Sequence, residues 1–240
     1  MPEMTDRTVE LLGQTVPYEL RESEDATEPR IDVDINGVAV VLPADSTERP
    51  NKLLKENANW VIEKKEKYDT YREQIPERRF EAGETFPYLG EPHEIRIEQR
   101  SASAVSDGEF RLAAHHVEET SVKRALETLY RRKARERFER RVEELADEMG
   151  VEYDQLQIRN QRTKWGSCST SGTIGLNWRL LMAPPEIIDY IIVHELAHLQ
   201  EPNHTDAFWA LVSQHDPECQ DHAAWLEEHG TTLVFSDEDL

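Results

Sequence analysis

The sequence predicts an α+β protein in two parts. Residues 1–115 read as a small β-rich N-terminal domain with one long helix, and residues 116–230 as a C-terminal domain with a small sheet and several helices. Three features predict this. Apolar and polar residues alternate on both sides of Asn36-Gly37, a dipeptide suited to a tight hairpin turn. A helical pattern from about Glu119 to Met149 stops at Gly150, the residue type that most easily takes a left-handed cap. Pro184-Pro185 opens a further apolar helix, since proline is tolerated in a first helical turn.

The elements follow in order. Thr8 to Leu42 is β-like: Ile31, Val33 and Ile35 precede the turn, and Val38, Val40 and Leu42 resume the alternation. Pro50 to Arg72 reads as one helix whose stripe of Leu53, Leu54, Trp60 and Val61 would cover a sheet. A second β-like block lies between Phe86 and Ala113, with Gly90 and Asp107-Gly108 as turns. After the helix ending at Gly150, short strands are expected at Gln155–Arg159, Thr163–Cys168 and Thr173–Trp178. Helices then run from Pro184 to about Gln200, near 206–213, and near 217–229. Residues 231–240 read as an acidic tail, and no internal repeat is apparent.

With 240 residues, 38% of them hydrophobic, and 5 Trp, the chain can bury a sizeable core. No apolar run approaches the roughly 20 residues of a membrane span, and MPEMTDRTVELLG lacks the features of a signal peptide. A cytoplasmic protein is the expectation. Cys168 and Cys219 are too few for a disulfide framework and read as free thiols. The net charge of −21 argues against general coating of DNA or adsorption to anionic lipid. High acid with 20 Arg and only 8 Lys reads as a habitat signature, that of a halophilic protein kept soluble in concentrated salt.

The sharpest signal is His194-Glu195-Leu196-Ala197-His198, an HExxH motif inside the helix opened by Pro184. Residues four apart share a helix face, so His194 and His198 can aim both imidazoles at one cation. Glu195 then sits where its carboxylate can act as general base on water at the metal without itself ligating. Roughly 0.05 matches to this pattern are expected by chance at this composition, so coincidence explains it poorly. Two histidines packed on a buried helix would be the bland alternative, but a core helix has no use for the adjacent carboxylate.

A catalytic zinc takes three protein ligands and keeps one position open. His204 is the candidate third ligand, because Pro202 breaks the helix and lets the chain turn back. Its spacing equals that of HExxHxxGxxH metalloproteases, although Glu201 stands where those have Gly and no Met-turn signature follows. Glu201, His215 and His222 remain alternatives.

The ordered segments Arg162-Thr163-Lys164-Trp165-Gly166-Ser167-Cys168, Gly175-Leu176-Asn177-Trp178-Arg179-Leu180, Ile188-Asp189-Tyr190, His194–Leu199 and Asn203-His204 to Phe208-Trp209 resemble the YgjP-like zinc metallopeptidase family. Gly83-Glu84 and Tyr88-Leu89-Gly90 extend the resemblance toward the N-terminus. The family is related to the SprT and WLM zinc proteins. The resemblance implies a zincin-like minimal metallopeptidase core: a small sheet plus the HExxH helix, with one Zn2+ per chain. By position, His194, His198 and His204 would be ligands and Glu195 the catalytic residue. Trp165, Gly166 and Ser167 would line the cleft or pack as a hairpin. A fourth ligand at Cys168 would close the site to water.

One feature points elsewhere. Lys123, Arg124, Arg131, Arg132, Lys133, Arg135, Arg137, Arg140 and Arg141 crowd 19 residues that hold three acids, Glu127, Glu136 and Glu139. Such a strip reads first as a solvated helix face with internal ion pairs. It could also offer Arg131, Arg132, Lys133 and Arg135 to phosphates or nucleic acid. The expected activity is therefore zinc-dependent hydrolysis of a peptide or protein. The alternatives are a nucleotide pyrophosphohydrolase and a nucleic-acid-associated SprT-like protease using the basic helix 123–141. His215, His222 and Arg179 are candidates for stabilising the transition state, with nothing in the sequence to choose among them.

Overall fold

The computed structural model describes residues 7–23, 26–34, 37–73, 75–161 and 164–236. The chain divides into two compact units, one within Met1–Ile75 and one within Pro76–Asp239.

The first unit holds β1 (Arg7–Leu11), β2 (Gln14–Ser23), β3 (Arg30–Asp34) and β4 (Gly37–Pro43), followed by α1 (Pro50–Glu56) and α2 (Ala58–Glu73). Strand order is β1-β2-β4-β3, with β2 parallel to β4 and the outer pairs antiparallel. Val9 and Leu11, then Val16 and Tyr18, are buried two apart, which gives the sheet one apolar face. The turn between β3 and β4 includes Ile35 and Asn36, which lie outside the described residues; Asp34 and Gly37 face each other across it. The expected single helix is two, because Asn57 leaves the helical conformation (φ −109°, ψ 19°) and its side-chain amide donates to the Leu53 carbonyl at 2.9 Å. Leu54, Val61 and Ile62 are buried, whereas Trp60 is exposed. One residue before Val61 on a helix is a rotation of about 100°, enough to carry Trp60 off the covered face.

The second unit begins with β5 (Thr85–Tyr88), β6 (Glu91–Glu98), β7 (Ala104–Ser106) and β8 (Glu109–Ala113), then α3 (Ala114–Glu119) and α4 (Val122–Met149). The boundary thus falls near residue 76, not at 115. Phe86, Ile95, Phe110 and Leu112 belong to the same core as Leu126, Leu129, Tyr130 and Phe138 of α4, so this sheet cannot be separated from the helix that covers it. Ser121 caps α4 by accepting from the Arg124 N–H at 3.1 Å, and Gly150 closes it at φ +66° as expected.

The two four-stranded sheets repeat one topology. Order β5-β6-β8-β7, with β6 parallel to β8, matches the first unit strand for strand. Both opening hairpins turn through a Leu-Gly pair with positive φ: +50° and +84° at Leu12-Gly13, +54° and +83° at Leu89-Gly90.

The remainder of the second unit is β9 (Gln155–Arg159), β10 (Gly166–Cys168), β11 (Thr173–Asn177), a 3-10 turn at Trp178–Met182, α5 (Pro185–Ala197), α6 (Asp206–His215), α7 (Cys219–His229) and a 3-10 turn at Gly230–Leu233. β10 forms the edge of a three-stranded sheet ordered β10-β11-β9. The acidic tail expected from 231 starts later. Leu233 and Phe235 are buried, and the Phe235 ring packs against Phe80, Phe86, Tyr130 and Trp178. These two apolar side chains, just ahead of the acids at 237–239, belong to the core. No helix is long and apolar enough to cross a membrane among the described residues.

Candidate metal centre

α5 carries the site because it is almost wholly enclosed. Ile187, Ile188, Ile192, Val193, Leu196 and Ala197 are all nearly inaccessible. Such burial fixes the helix rotation, so His194 emerges on a defined line. The helix stops at Ala197, three residues short of expectation. Beyond it, the Gln200 and Glu201 N–H groups both turn back to the Ala197 carbonyl, at 3.0 and 2.9 Å. The chain then reverses through Pro202, and Thr205 caps α6 by accepting from the Phe208 N–H. His204 is held just ahead of that cap.

The reversal brings three imidazoles together. Metal-capable atoms of His194, His198 and His204 all lie within 4.8 Å of one another, the one such group of three among the described residues. Nε2 of His204 is 3.0 Å from Nε2 of His194. Phe208 packs against all three rings at centroid distances of 4.6–4.9 Å, and Trp209 stacks on His204. His198 Nδ1 faces the Glu201 carbonyl at 3.3 Å, which leaves Nε2 to point into the cluster. Burial, followed by the other two histidines, pushes His194 down to about 4, and burial lowers His198 as well. Neutral rings are the form that ligates. A tetrahedral ion spaces nitrogen ligands about 3.3 Å apart; the His194–His204 pair is close to that spacing and all three donors fall within 4.8 Å, so the donor set fits a zinc-type ion after a small adjustment.

Glu195 is outside this group of donors. The residue is 6% exposed, and burial pushes its carboxyl up to about 7, with Lys164 pulling the other way. A cavity of about 300 Å³ opens beside it, lined by Trp165, Tyr190, Ile191, Ala223 and Leu226 and with Lys164 and Gly166 at its margin. Asn177 fixes that margin: its buried amide donates to the Gln161 carbonyl at 2.7 Å and the Lys164 carbonyl at 3.2 Å.

Backbone geometry along β10 is settled by two hydrogen bonds. Asn177 N–H donates to the Trp165 carbonyl at 2.8 Å, and Ser169 N–H to the Thr173 carbonyl at 3.0 Å. Antiparallel ladders alternate bonded and non-bonded pairs, so Gly166, opposite Leu176, is a non-bonded position. Its N–H and C=O therefore point off the free edge of the sheet.

Several expected site residues lie elsewhere. Ser167 is on the opposite face of β10, its Oγ beside Gly175. Glu201 contributes its carbonyl and not its side chain, and His215 stands outside the cluster. His222 is paired with Asp216 at 2.8 Å, and Arg179 lies over the Trp178 ring. Cys168 is not among the grouped donors; burial, then Glu195, raises its thiol. The four candidate contacts of the basic strip are ion-paired where they stand. Arg131 pairs with Glu127, Arg132 and Lys133 with Glu136, and Arg135 with Glu139. None of the four lines the cavity. Tyr190 and Ile191 were missed by sequence reasoning, although they sit four and three residues before His194, where a helix presents the same face.

A family model described as YgjP-like, metallopeptidase domain, matches residues 27–229. The chain belongs to this family. Two solved structures are similar in part. One is the metallopeptidase zymogen of Pyrococcus abyssi abylysin, at 27% identity and a TM-score of 0.36, covering 40% of this chain and 98% of that one. The other is the metallopeptidase zymogen of Methanocaldococcus jannaschii jannalysin, at 23% identity and a TM-score of 0.35, covering 38% of this chain and 94% of that one. No curated protein matches. Membership in the YgjP-like family makes the chain a metallopeptidase-type hydrolase that works with a divalent metal on peptide or protein, and gives no support to nucleotide or DNA as its ligand.

Proposed function

We propose that this chain is a zinc-dependent peptidase in which His194, His198 and His204 hold one zinc ion and Glu195 serves as general base. The convergence of three imidazoles beside a buried carboxyl that does not join them carries this reading. When bound, the ion supplies Lewis acidity toward a water and a carbonyl oxygen. Glu195 accepts a proton from the attacking water and returns it to the departing amine. Burial raises the Glu195 carboxyl in the metal-free chain, the direction a general base working near neutral pH needs.

Substrate chemistry follows from the margin of the cavity. The outward N–H and C=O of Gly166 offer an extended peptide the pairing of an added strand, while Trp165, Tyr190 and Leu226 offer an apolar side chain a place beside the scissile bond. Apart from Lys164 and the histidine of the metal cluster, that lining lacks groups that would hold a phosphate chain. The test is to load the protein with zinc and incubate it with an unstructured peptide pool, alongside Glu195→Gln. Cleavage by the parent alone, at equal zinc content, is expected; equal cleavage by the variant would refute the general base.

A further inference from the structure

Gly166 stands closer to the catalytic carboxyl than any side chain could. A Cβ built on it would lie 2.4 Å from Glu195 Oε1, 2.6 Å from Cγ and 2.8 Å from Cδ. Real Cβ contacts essentially never fall below 3.0 Å. Gly166 has no positive φ to explain its identity, so the reason for glycine here is space and not backbone conformation.

We infer that the missing side chain at position 166 is what seats the Glu195 carboxyl, making Gly166 a positioning residue for the proposed general base. This rests on the peptidase reading above. The argument turns on which partner would yield. β10 cannot recede, because hydrogen bonds pin it to β11 at Trp165 and Ser169, on either side of the glycine. α5 cannot recede either, since Ile192, Leu196 and Ala197 are fully buried. The Glu195 side chain, buried but with three rotatable bonds, is the part that must yield, and the overlap reaches its Cγ as well as its Oε1. An added methyl therefore moves the whole side chain at some cost in stability, and a misplacement of the carboxyl by about 1 Å can cost on the order of 100-fold in rate.

Gly175, across the ladder from Ser167, supplies a matched control. A Cβ there would lie 2.6 Å from Ser167 Oγ, and that hydroxyl plays no part in the proposed chemistry.

The experiment compares zinc-loaded parent, Gly166→Ala, Gly175→Ala, Glu195→Asp, Glu195→Gln and the Gly166→Ala/Glu195→Asp pair on an internally quenched peptide rich in Leu, Phe and Ala. Gly166→Ala is expected to keep one zinc per chain and a cooperative melt at a somewhat lower temperature than the parent's, lower kcat about 100-fold, and change KM less than about threefold. Gly175→Ala should stay within about threefold of the parent. Shortening Glu195 to Asp should cost about 100-fold in the parent and almost nothing further in the alanine variant, because the methyl and the shorter side chain displace the same group. A crystal structure of Gly166→Ala should show the carboxyl moved by about 1 Å or more.

A carboxyl superimposable on the parent's, parental kcat, additive losses in the double variant, or loss of zinc from Gly166→Ala would each overturn the inference. Parental kcat in Glu195→Gln would instead bring down the general-base reading, and this one with it.

Discussion

Nε2 of His204 lies 3.0 Å from Nε2 of His194, ten positions earlier in the chain, with a helix end, Pro202 and a reversal of the chain between them. Two neutral imidazoles at that distance can share one N–H···N hydrogen bond, which engages only two of the three rings. A cation between their lone pairs, with His198 as the third donor, gives the arrangement its chemical sense.

Removing any one ring should therefore release the metal. His194→Ala, His198→Ala and His204→Ala are each expected to bind zinc at least about 100-fold more weakly than the parent while keeping the helical content of α5, whose burial does not depend on the rings. Equilibrium dialysis with metal analysis measures the first effect and circular dichroism the second. Retention of stoichiometric zinc by His204→Ala would remove it from the ligand set.

Glu195 makes the metal-free protein sensitive to pH. Burial raises its carboxyl from 4.5 to about 7, so the folded chain binds this proton more tightly than the unfolded chain does. That contribution to stability is complete below about pH 4.5 and is lost as pH rises through 7. In metal-free protein, Glu195→Gln should melt close to the parent at pH 4.5 and be more stable at pH 8, by on the order of 2 kcal/mol. Identical melting of the two at pH 8 would show that the carboxyl is not buried as described.

Phe235 ties the C-terminal segment into the core. Deleting a fully enclosed aromatic ring leaves a cavity, so Phe235→Ala should destabilise the second unit by about 3 kcal/mol in urea. A cost below about 1 kcal/mol would mean that the segment is a tail after all.

Arg141 joins α4 to α5 through a two-pronged ion pair. Its Nε and Nη2 each reach Asp189 at 2.9 Å. Asp189→Asn is expected to cost about 1 kcal/mol at low salt and less at high salt, since the pair is partly exposed. A salt-independent cost would point to packing instead of charge.

Local signals were the legible ones. His194, Glu195 and His198 are related by helical spacing alone, and Gly150 ends α4 by a backbone preference visible in the residue type. What depends on distant packing was hidden. Phe86, Ile95, Phe110 and Leu112 read as strand residues in any domain, and only the α4 residues across from them decide which core they enter. Leu233 and Phe235 were masked by the acids that follow at 237–239. The repeated sheet topology went unseen because the side chains differ, although Leu12-Gly13 and Leu89-Gly90 mark equivalent turns. Gly166 and Glu195 are 29 positions apart, and a glycine whose role is to be small carries no chemical signal of its own.

Anomalous diffraction at the zinc edge from crystals of the zinc-loaded chain tests the metal centre most directly. One peak per chain is expected, about 2.0–2.1 Å from Nε2 of His194, His198 and His204, with Glu195 outside its coordination sphere. A peak lacking His204, or one that takes an oxygen of Glu195 as a ligand, would contradict it.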